Sequence, residues 1–88
     1  MDTAVLGGFS VKRLVRFDGE GALKAFCDLA VGDVVLVKGL RVVSGKNGLF
    51  VSMPRQQGKD GKYYDNVVAL NKDVKKETDR VVLQAYQQ

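Results

Sequence analysis

The chain has 88 residues, of which 45% are hydrophobic and 27% are charged, a balance typical of one small globular domain. It contains no histidine and one cysteine, Cys27, so one chain cannot form a His-ligated or multi-cysteine zinc site, a Ser-His-Asp triad, a Cys-His pair or an internal disulfide. We therefore expect a protein that is not an enzyme, with no cofactor, no metal and no small-molecule substrate.

The same sequence argues against export. The longest apolar run, residues 34–37, is far shorter than the roughly 20 residues that span a membrane. The N-terminus has neither the basic region nor the cleavage site of a secretory signal. A lone cysteine fits a reducing compartment. We expect a cytoplasmic protein without a membrane partner, with a flexible leader over residues 1–8 and a single domain over residues 9–88.

The net charge of +4 is concentrated in one segment. Residues 41–62 contain five basic side chains against the single acid Asp60, whereas the rest of the chain sums to zero. A neutral scaffold with one cationic segment suits an anionic partner such as a nucleic-acid backbone. An acidic protein partner, or simple solvation of loops, would produce the same asymmetry. The five basic residues are Arg41, Lys46, Arg55, Lys59 and Lys62.

The first predicted strand begins at Phe9 and has an irregular pattern. Alternation assigns Arg13 to the apolar face and Leu14 to the polar face, so neither face is uniform. The apolar residues that share a face by this count are Phe9, Val11, Val15 and Phe17. Residues 18–21 then form a glycine-rich turn.

The second and third strands have clearer patterns. Residues 23–29 alternate regularly and place Cys27 on the core face, which predicts a buried structural thiol. Residues 34–43 predict a more buried strand interrupted by Gly39. A glycine inside a strand indicates a bulge or a close approach by another group.

The next turn, residues 44–48, leads to a fourth strand over residues 49–53. Pro54 ends that strand because proline cannot donate to a sheet ladder. Residues 55–62 then predict a long mobile hairpin arm, and residues 63–70 a fifth strand. Alternation directs Tyr63 and Tyr64 to opposite faces, so we expect one of them to join Phe50 in the core and the other to be exposed, available for stacking on bases.

After Asn71 the apolar residues recur with the spacing of an amphipathic helix rather than that of a strand. Asn71 is suited to be its N-cap and Asp73 to interact with the helix dipole. The apolar stripe comprises Val74, Thr78, Val81, Val82, Ala85 and Tyr86. The other face carries a basic ridge of Lys72, Lys76 and Arg80, which we interpret as solvated and ion-paired, for example through Lys75 and Asp79. The predicted fold is α+β: an antiparallel β-meander of about five strands with one C-terminal amphipathic helix. A thin core and exposed strand edges favour a homodimer.

One stretch of the chain resembles a known family. Leu40-Arg41-Val42, the string Asn47-Gly48-Leu49-Phe50-Val51-Ser52-Met53-Pro54 and the turn Asp60-Gly61 resemble the SpoVG (septation protein) family of bacteria. The resemblance extends more weakly from Val11 to Tyr86. It implies a small homodimeric α+β protein that binds DNA and RNA, regulates gene expression and is linked to septation and sporulation.

The resemblance also directs attention to the residues after Met53-Pro54, because basic residues at that place contact nucleic acid in the family. This chain has one arginine there, shifted forward by one position, and two glutamines in place of the usual basic pair. Arginine can bind guanine or phosphate, and glutamine can bind adenine. The predicted nucleic-acid-binding residues are Arg55, Gln56, Gln57, Lys59, Lys62, Lys46 and Arg41. The alternative is a protein-interaction module in cell division or septation that does not bind nucleic acid directly.

Overall fold

The computed structural model describes residues 8–88, which form a four-stranded sheet, a two-stranded hairpin and one helix. The larger sheet has the order β1-β2-β3-β4 with every pair antiparallel, and β5 pairs with β6 beside it. The α+β prediction is therefore confirmed. The elements are β1 (Phe9–Arg16), β2 (Leu23–Val31), β3 (Val35–Gly45), β4 (Gly48–Ser52), β5 (Arg55–Gln57), β6 (Tyr63–Asp65) and α1 (Lys72–Gln87). The predicted leader falls almost entirely on residues 1–7, which lie outside the described range.

The predicted fifth strand is much shorter than expected and does not extend the meander. Only Tyr63–Asp65 is a strand, and it pairs with β5 rather than with the larger sheet. Pro54 separates the two sheets, and its carbonyl accepts a hydrogen bond from the Asn66 N–H at 3.0 Å. This bond closes the base of the hairpin, so the chain after it leaves the ladder and runs to the helix without strand pairing.

A bulge in β1 corrects the predicted faces of the first strand. Val11 pairs with Leu29, but Arg13 pairs with the next residue, Asp28, so Lys12 is an extra residue in the ladder. An extra residue reverses the alternation beyond it. Leu14 consequently packs against the core, while Val15 is exposed; Phe17, beyond the strand, is also exposed.

Gly39 forms the bulge predicted for β3. Its φ is +91°, and the register shifts at this point because Cys27 pairs with Leu40 whereas Asp28 pairs with Lys38. Only the part of β3 beyond Gly39 is deeply buried, through Leu40 and Val42. The expectation that the whole strand is buried is wrong for its first half, because residues 34–36 are exposed.

The core lies between the sheet and one face of α1. Cys27 on β2 and Val42 on β3 meet Val82 of the helix there, and all three are buried. Asn71 caps the helix as predicted, since its Oδ1 accepts from the Val74 N–H at 2.9 Å. The buried Thr78 hydroxyl donates to the Val74 carbonyl at 2.9 Å, so its burial leaves no unpaired polar group.

Two long basic side chains attach the helix to the edge strands. Arg16 of β1 donates to the carbonyls of Ala85 and Tyr86 at 3.2 and 2.6 Å, which supplies the cation that the last turn of α1 lacks. Lys75 donates to the Val51 carbonyl of β4 at 3.2 Å. The helix therefore covers one face of the sheet and leaves the other open. Within residues 8–88, α1 is too short and too polar to cross a membrane.

Candidate nucleic-acid interface

The uncovered face of the sheet carries Arg41, the first residue of the basic segment. Arg41 lies directly opposite Phe26 in the β2–β3 ladder, and its guanidinium carbon is 5.6 Å from the centre of the Phe26 ring. Phe17 packs edge-on against the same ring, with the centroids 5.3 Å apart. The cation–π contact orients an otherwise flexible arginine on an open surface.

The hairpin β5–β6 divides the predicted Arg-Gln-Gln contact between two faces. Arg55 pairs with Asp65, Gln56 with Tyr64, and Gln57 with Tyr63. Because neighbouring strand residues point to opposite sides, Gln56 and Tyr64 share one face while the other pairs share the second. The three residues therefore cannot contact one groove together as the sequence suggested.

The turn of the hairpin is held by several hydrogen bonds. The Asp60 carboxylate accepts from the Tyr64 hydroxyl at 2.6 Å and from the Lys62 N–H at 3.0 Å. These bonds lower the pKa of Asp60, and the bond to Asp60 raises the pKa of Tyr64. Gln57 donates its side-chain amide to the Gly61 carbonyl at 3.1 Å, so that amide is already engaged within the turn.

Gly58 is required at this turn for steric reasons. A Cβ at this position would lie 2.8 Å from the Tyr64 ring and 3.0 Å from the Asp60 carboxylate. The tyrosine ring therefore lies directly over the glycine backbone. The combination of ring, carboxylate and glycine fixes the shape of the hairpin without burying it.

Arg41, Arg55 and Tyr63 line one shallow depression of about 170 Å³. They come from β3, β5 and β6, so three separate elements converge there. Arg55 is held loosely, with its Nε 4.0 Å from an Asp65 carboxylate oxygen and both side chains more than half exposed. Such an exposed pair is weak, and the Arg55 guanidinium remains accessible to an anion.

The three predicted lysines occupy exposed turns. Lys46 lies in the two-residue turn between β3 and β4, whereas Lys59 and Lys62 lie in the turn of the hairpin. None of the three forms an ion pair with any of residues 8–88. They surround no common pocket, so they are suited to diffuse attraction of an anion rather than to a defined contact.

The exposed aromatic side chains differ from the sequence prediction. Tyr63, Tyr64 and Phe50 are 61%, 52% and 49% exposed, so neither tyrosine is buried and Phe50 is not part of the core. Phe50 lies on the uncovered side of β4, close to Gly45. The short β6 strand belongs to a hairpin with no layer packed on it, which explains why both tyrosines reach solvent.

Lys72 was predicted only as part of the solvated ridge on the helix. In the structure it lines a groove together with Arg55. This groove, about 630 Å³, runs between β4 and the start of α1 and also contains Asp65 and Lys75. Lys72 is the first residue of the helix, and its proximity to Arg55 depends on how the hairpin folds back. The order of residues along the chain alone gives no signal that Lys72 and Arg55 line one groove.

In the rest of the helical ridge Arg80 is paired, whereas Lys76 forms no ion pair with any of residues 8–88; the predicted pair on the helix surface, Lys75 with Asp79, is present. Arg80 donates to both carboxylate oxygens of Glu77, at 3.0 and 2.6 Å, and this interaction lowers the pKa of Glu77. Lys75 forms an ion pair with Asp79 at 2.6 Å. These contacts within α1 support a solvated helix surface rather than a phosphate-binding ridge.

Cys27 is a structural residue. Its side chain is buried in the core, and burial raises the pKa of its thiol to about 11. A thiol in this environment is protonated at neutral pH and is a poor nucleophile. The interpretation of Cys27 as a buried structural thiol is confirmed.

Comparisons with known proteins place this chain among relatives of similar length. The family model described as SpoVG matches residues 10–88. A relative from Archaeoglobus fulgidus named "Putative septation protein SpoVG" is 36% identical over 76 residues, which is 86% of this chain and 89% of the relative. A protein from Listeria monocytogenes with the same name and the number 2 is 35% identical over 75 residues, covering 85% of this chain and 74% of the relative. These names describe both relatives as septation proteins.

Proposed function

Because the chain belongs to the SpoVG family, we propose that it is a cytoplasmic regulator of gene expression that binds DNA or RNA and acts in septation. The observation that carries the proposal is the convergence of Arg41 and Arg55 beside Tyr63 on the uncovered side of the sheet. The two guanidinium groups are accessible and come from different elements. The family resemblance directs attention to the same segment.

The proposed interface uses two kinds of cation. Arg41 is oriented by Phe26, and Arg55 is accessible beside it, so the two guanidinium groups supply contacts to phosphate or to a base edge. Lys46, Lys59 and Lys62 supply long-range attraction from the turns. The hydrogen bonds that fix the hairpin reduce the conformational entropy lost on binding, because the arm is already shaped.

We propose that the protein acts as a homodimer, and an apolar groove supports this. The groove has a volume of about 320 Å³ and lies between the sheet and the segment before α1. Leu70 and Val68 on that segment are 95% and 67% exposed. Both side chains line the groove, and a contiguous exposed apolar surface of this kind is typical of a protein–protein contact.

The same groove favours a second candidate function, a protein-interaction module in septation. In that case the groove would receive a different protein and the basic segment would steer an acidic partner. Nuclease treatment of a complex formed by this protein distinguishes the two functions. A complex that persists after nuclease treatment, in a protein that binds no oligonucleotide, would favour the interaction module.

A double substitution with a charge-matched control tests the proposed function. Arg55→Ala with Lys59→Ala removes two positive charges from the hairpin, and Lys76→Ala with Arg80→Ala removes two from the helix. We expect the hairpin variant to bind an oligonucleotide about tenfold more weakly, or about 1.4 kcal/mol, and the helix variant to bind nearly as well as the unmodified protein. Equal affinities for the two folded variants would contradict the assignment of the interface.

A further inference from the structure

We infer that the depression formed by Arg41, Arg55 and Tyr63 receives an unpaired base, so that the preferred ligand is a single-stranded nucleic acid. In this arrangement the base stacks on the Tyr63 ring and the two guanidinium groups contact its edge or the adjacent phosphates. The inference rests on the proposed function and specifies the class of ligand for the same site.

The two neighbouring tyrosines have different structural roles. Tyr64 donates its hydroxyl to Asp60 at 2.6 Å, and its ring covers Gly58. Tyr63 lies on the opposite face of the hairpin, and its side chain makes no hydrogen bond to any of residues 8–88. The Tyr63 ring is 61% exposed, so the fold uses Tyr64 and leaves Tyr63 available to a ligand.

An exposed ring between two arginines favours an unpaired base over a duplex. In a duplex the base faces are stacked on one another and cannot reach a protein ring, whereas single strands present them. Proteins that bind single strands combine cations along the backbone with aromatic side chains under the bases. Open four-stranded sheets are one of the surfaces used in this way, and this chain has such a sheet with its uncovered face beside Tyr63.

The dimensions of the depression also match one flat ring. Its volume of about 170 Å³ is below the roughly 300–1,000 Å³ of pockets that enclose a small molecule. Its three lining residues are all exposed, so the rest of a strand could continue past the site over the neighbouring surface. Phe26 does not serve as a stacking surface, because Arg41 and Phe17 already contact its ring; it positions Arg41.

The test compares three single variants on single-stranded and duplex oligonucleotides of one sequence, with 2-aminopurine as a fluorescent base in the single strand. Tyr63→Leu removes the ring, Tyr63→Phe keeps it, and Phe50→Leu removes a similarly exposed ring from β4. We expect Tyr63→Leu to bind the single strand at least about fivefold more weakly, the lower limit for stacking of one base. Its duplex affinity should be unchanged. The quenching of 2-aminopurine on binding should also be lost.

The controls separate this inference from the proposed function. Tyr63→Phe and Phe50→Leu should retain both the affinity and the quenching. If Tyr63→Leu still quenches and binds normally while Arg41→Ala binds weakly, the stacking site is wrong and nucleic-acid binding stands. If the unmodified protein binds neither oligonucleotide at low salt, the proposed function fails and the stacking site fails with it. Circular dichroism of each variant establishes that it is folded.

Discussion

At the scale of single residues, Asp60 determines the shape of the hairpin that carries Arg55 and Tyr63. Its carboxylate accepts two hydrogen bonds from within the turn, one from a side chain and one from the backbone. Both contacts are stronger to the ionised carboxylate, and they therefore lower its pKa. The contact with Tyr64 also requires a protonated phenol, whose pKa is raised in turn.

Removing the Tyr64 hydroxyl should raise the pKa of Asp60 towards its ordinary value. The Tyr64 hydrogen bond is the largest cause of the lowered pKa, so Tyr64→Phe leaves only the weaker backbone contact. An NMR titration of the Asp60 carboxyl carbon measures this change. Tyr63→Phe is the matched control and should leave the pKa of Asp60 unchanged. An Asp60 pKa that is the same in Tyr64→Phe would contradict the role of this bond.

The direction of the associated pH dependence follows from linkage. The pKa of Asp60 is lower in the folded state than in the unfolded chain, so its contribution to stability is complete above the unfolded pKa. That contribution is lost as the pH falls through the folded pKa. The hairpin should therefore loosen in acid before the core does, and the Tyr64→Phe variant, which keeps the backbone contact, should show less of this acid sensitivity.

The sequence predicted some residue environments and not others. Cys27 was placed correctly because regular alternation in β2 leaves one interpretation. Alternation also assigned Tyr63 and Tyr64 correctly to opposite faces. It could not show that both are exposed, because exposure depends on whether another layer packs on the hairpin. That information lies in the tertiary structure and not in the local pattern.

At the scale of secondary-structure elements, bulges at Gly39 and at Lys12 decide which side chains of β3 and β1 face the core. Gly39 allows β3 to change its phase, so that Leu40 and Val42 are buried while Arg41 points to the open face. Lys12 is the extra residue in β1 and likewise reverses which side chains face the core beyond it. A glycine within a strand signalled the first bulge, whereas no residue type signalled the second. The sequence therefore predicted the strands but not the faces of β1.

Gly39→Ala should destabilise the protein without any steric clash. Nothing lies within 4 Å of a Cβ at this position, but its φ of +91° disfavours any side chain. We expect a loss of about 1–2 kcal/mol in the free energy of unfolding, measured by urea denaturation. Gly19→Ala, which has the same open space and no positive φ, should be neutral or stabilising by about 0.4–1 kcal/mol. Equal effects would contradict a conformational role for Gly39.

Arg16 should stabilise the contact between β1 and the end of α1. Its guanidinium donates to two helix carbonyls and lies 5.4 Å from the centre of the Tyr86 ring. We expect Arg16→Met, which keeps an apolar stem, to reduce the free energy of unfolding by about 1 kcal/mol. Arg80→Ala removes an exposed pair with Glu77, which contributes little to stability, and should reduce the free energy of unfolding less than Arg16→Met does. The comparison is made by thermal and urea denaturation. Similar losses for the two would contradict the capping role of Arg16.

At the scale of the whole molecule, the structure has two surfaces with different chemistry. One is the open side of the sheet with Arg41, Arg55 and Tyr63; the other is the apolar groove beside Leu70. The charge distribution along the sequence predicted the first surface in outline, because residues 41–62 carry the net charge. The convergence of three elements could not be predicted, since it depends on how the hairpin folds beside β4.

Leu70→Lys should weaken the proposed homodimer. A lysine there would place a charge in the apolar groove, and its desolvation would oppose association. Sedimentation velocity at micromolar concentration should show a dimer for the unmodified protein and a shift towards monomer for the variant. Val34→Lys, at an exposed apolar position in the β2–β3 turn, is the control and should remain dimeric. A monomeric unmodified protein, or a dimeric Leu70→Lys variant, would contradict the proposal.

The most direct test of the account is the salt dependence of nucleic-acid binding by the unmodified protein. Fluorescence anisotropy measures the affinity at about 50 and about 200 mM salt. The labelled ligands are single-stranded RNA, single-stranded DNA and duplex DNA. Four phosphate contacts would weaken duplex binding about a hundredfold over this range. We predict saturable binding that weakens in this way and is tightest for a single strand. The absence of saturable binding by the folded protein at the lower salt concentration, or an affinity independent of salt, would contradict it.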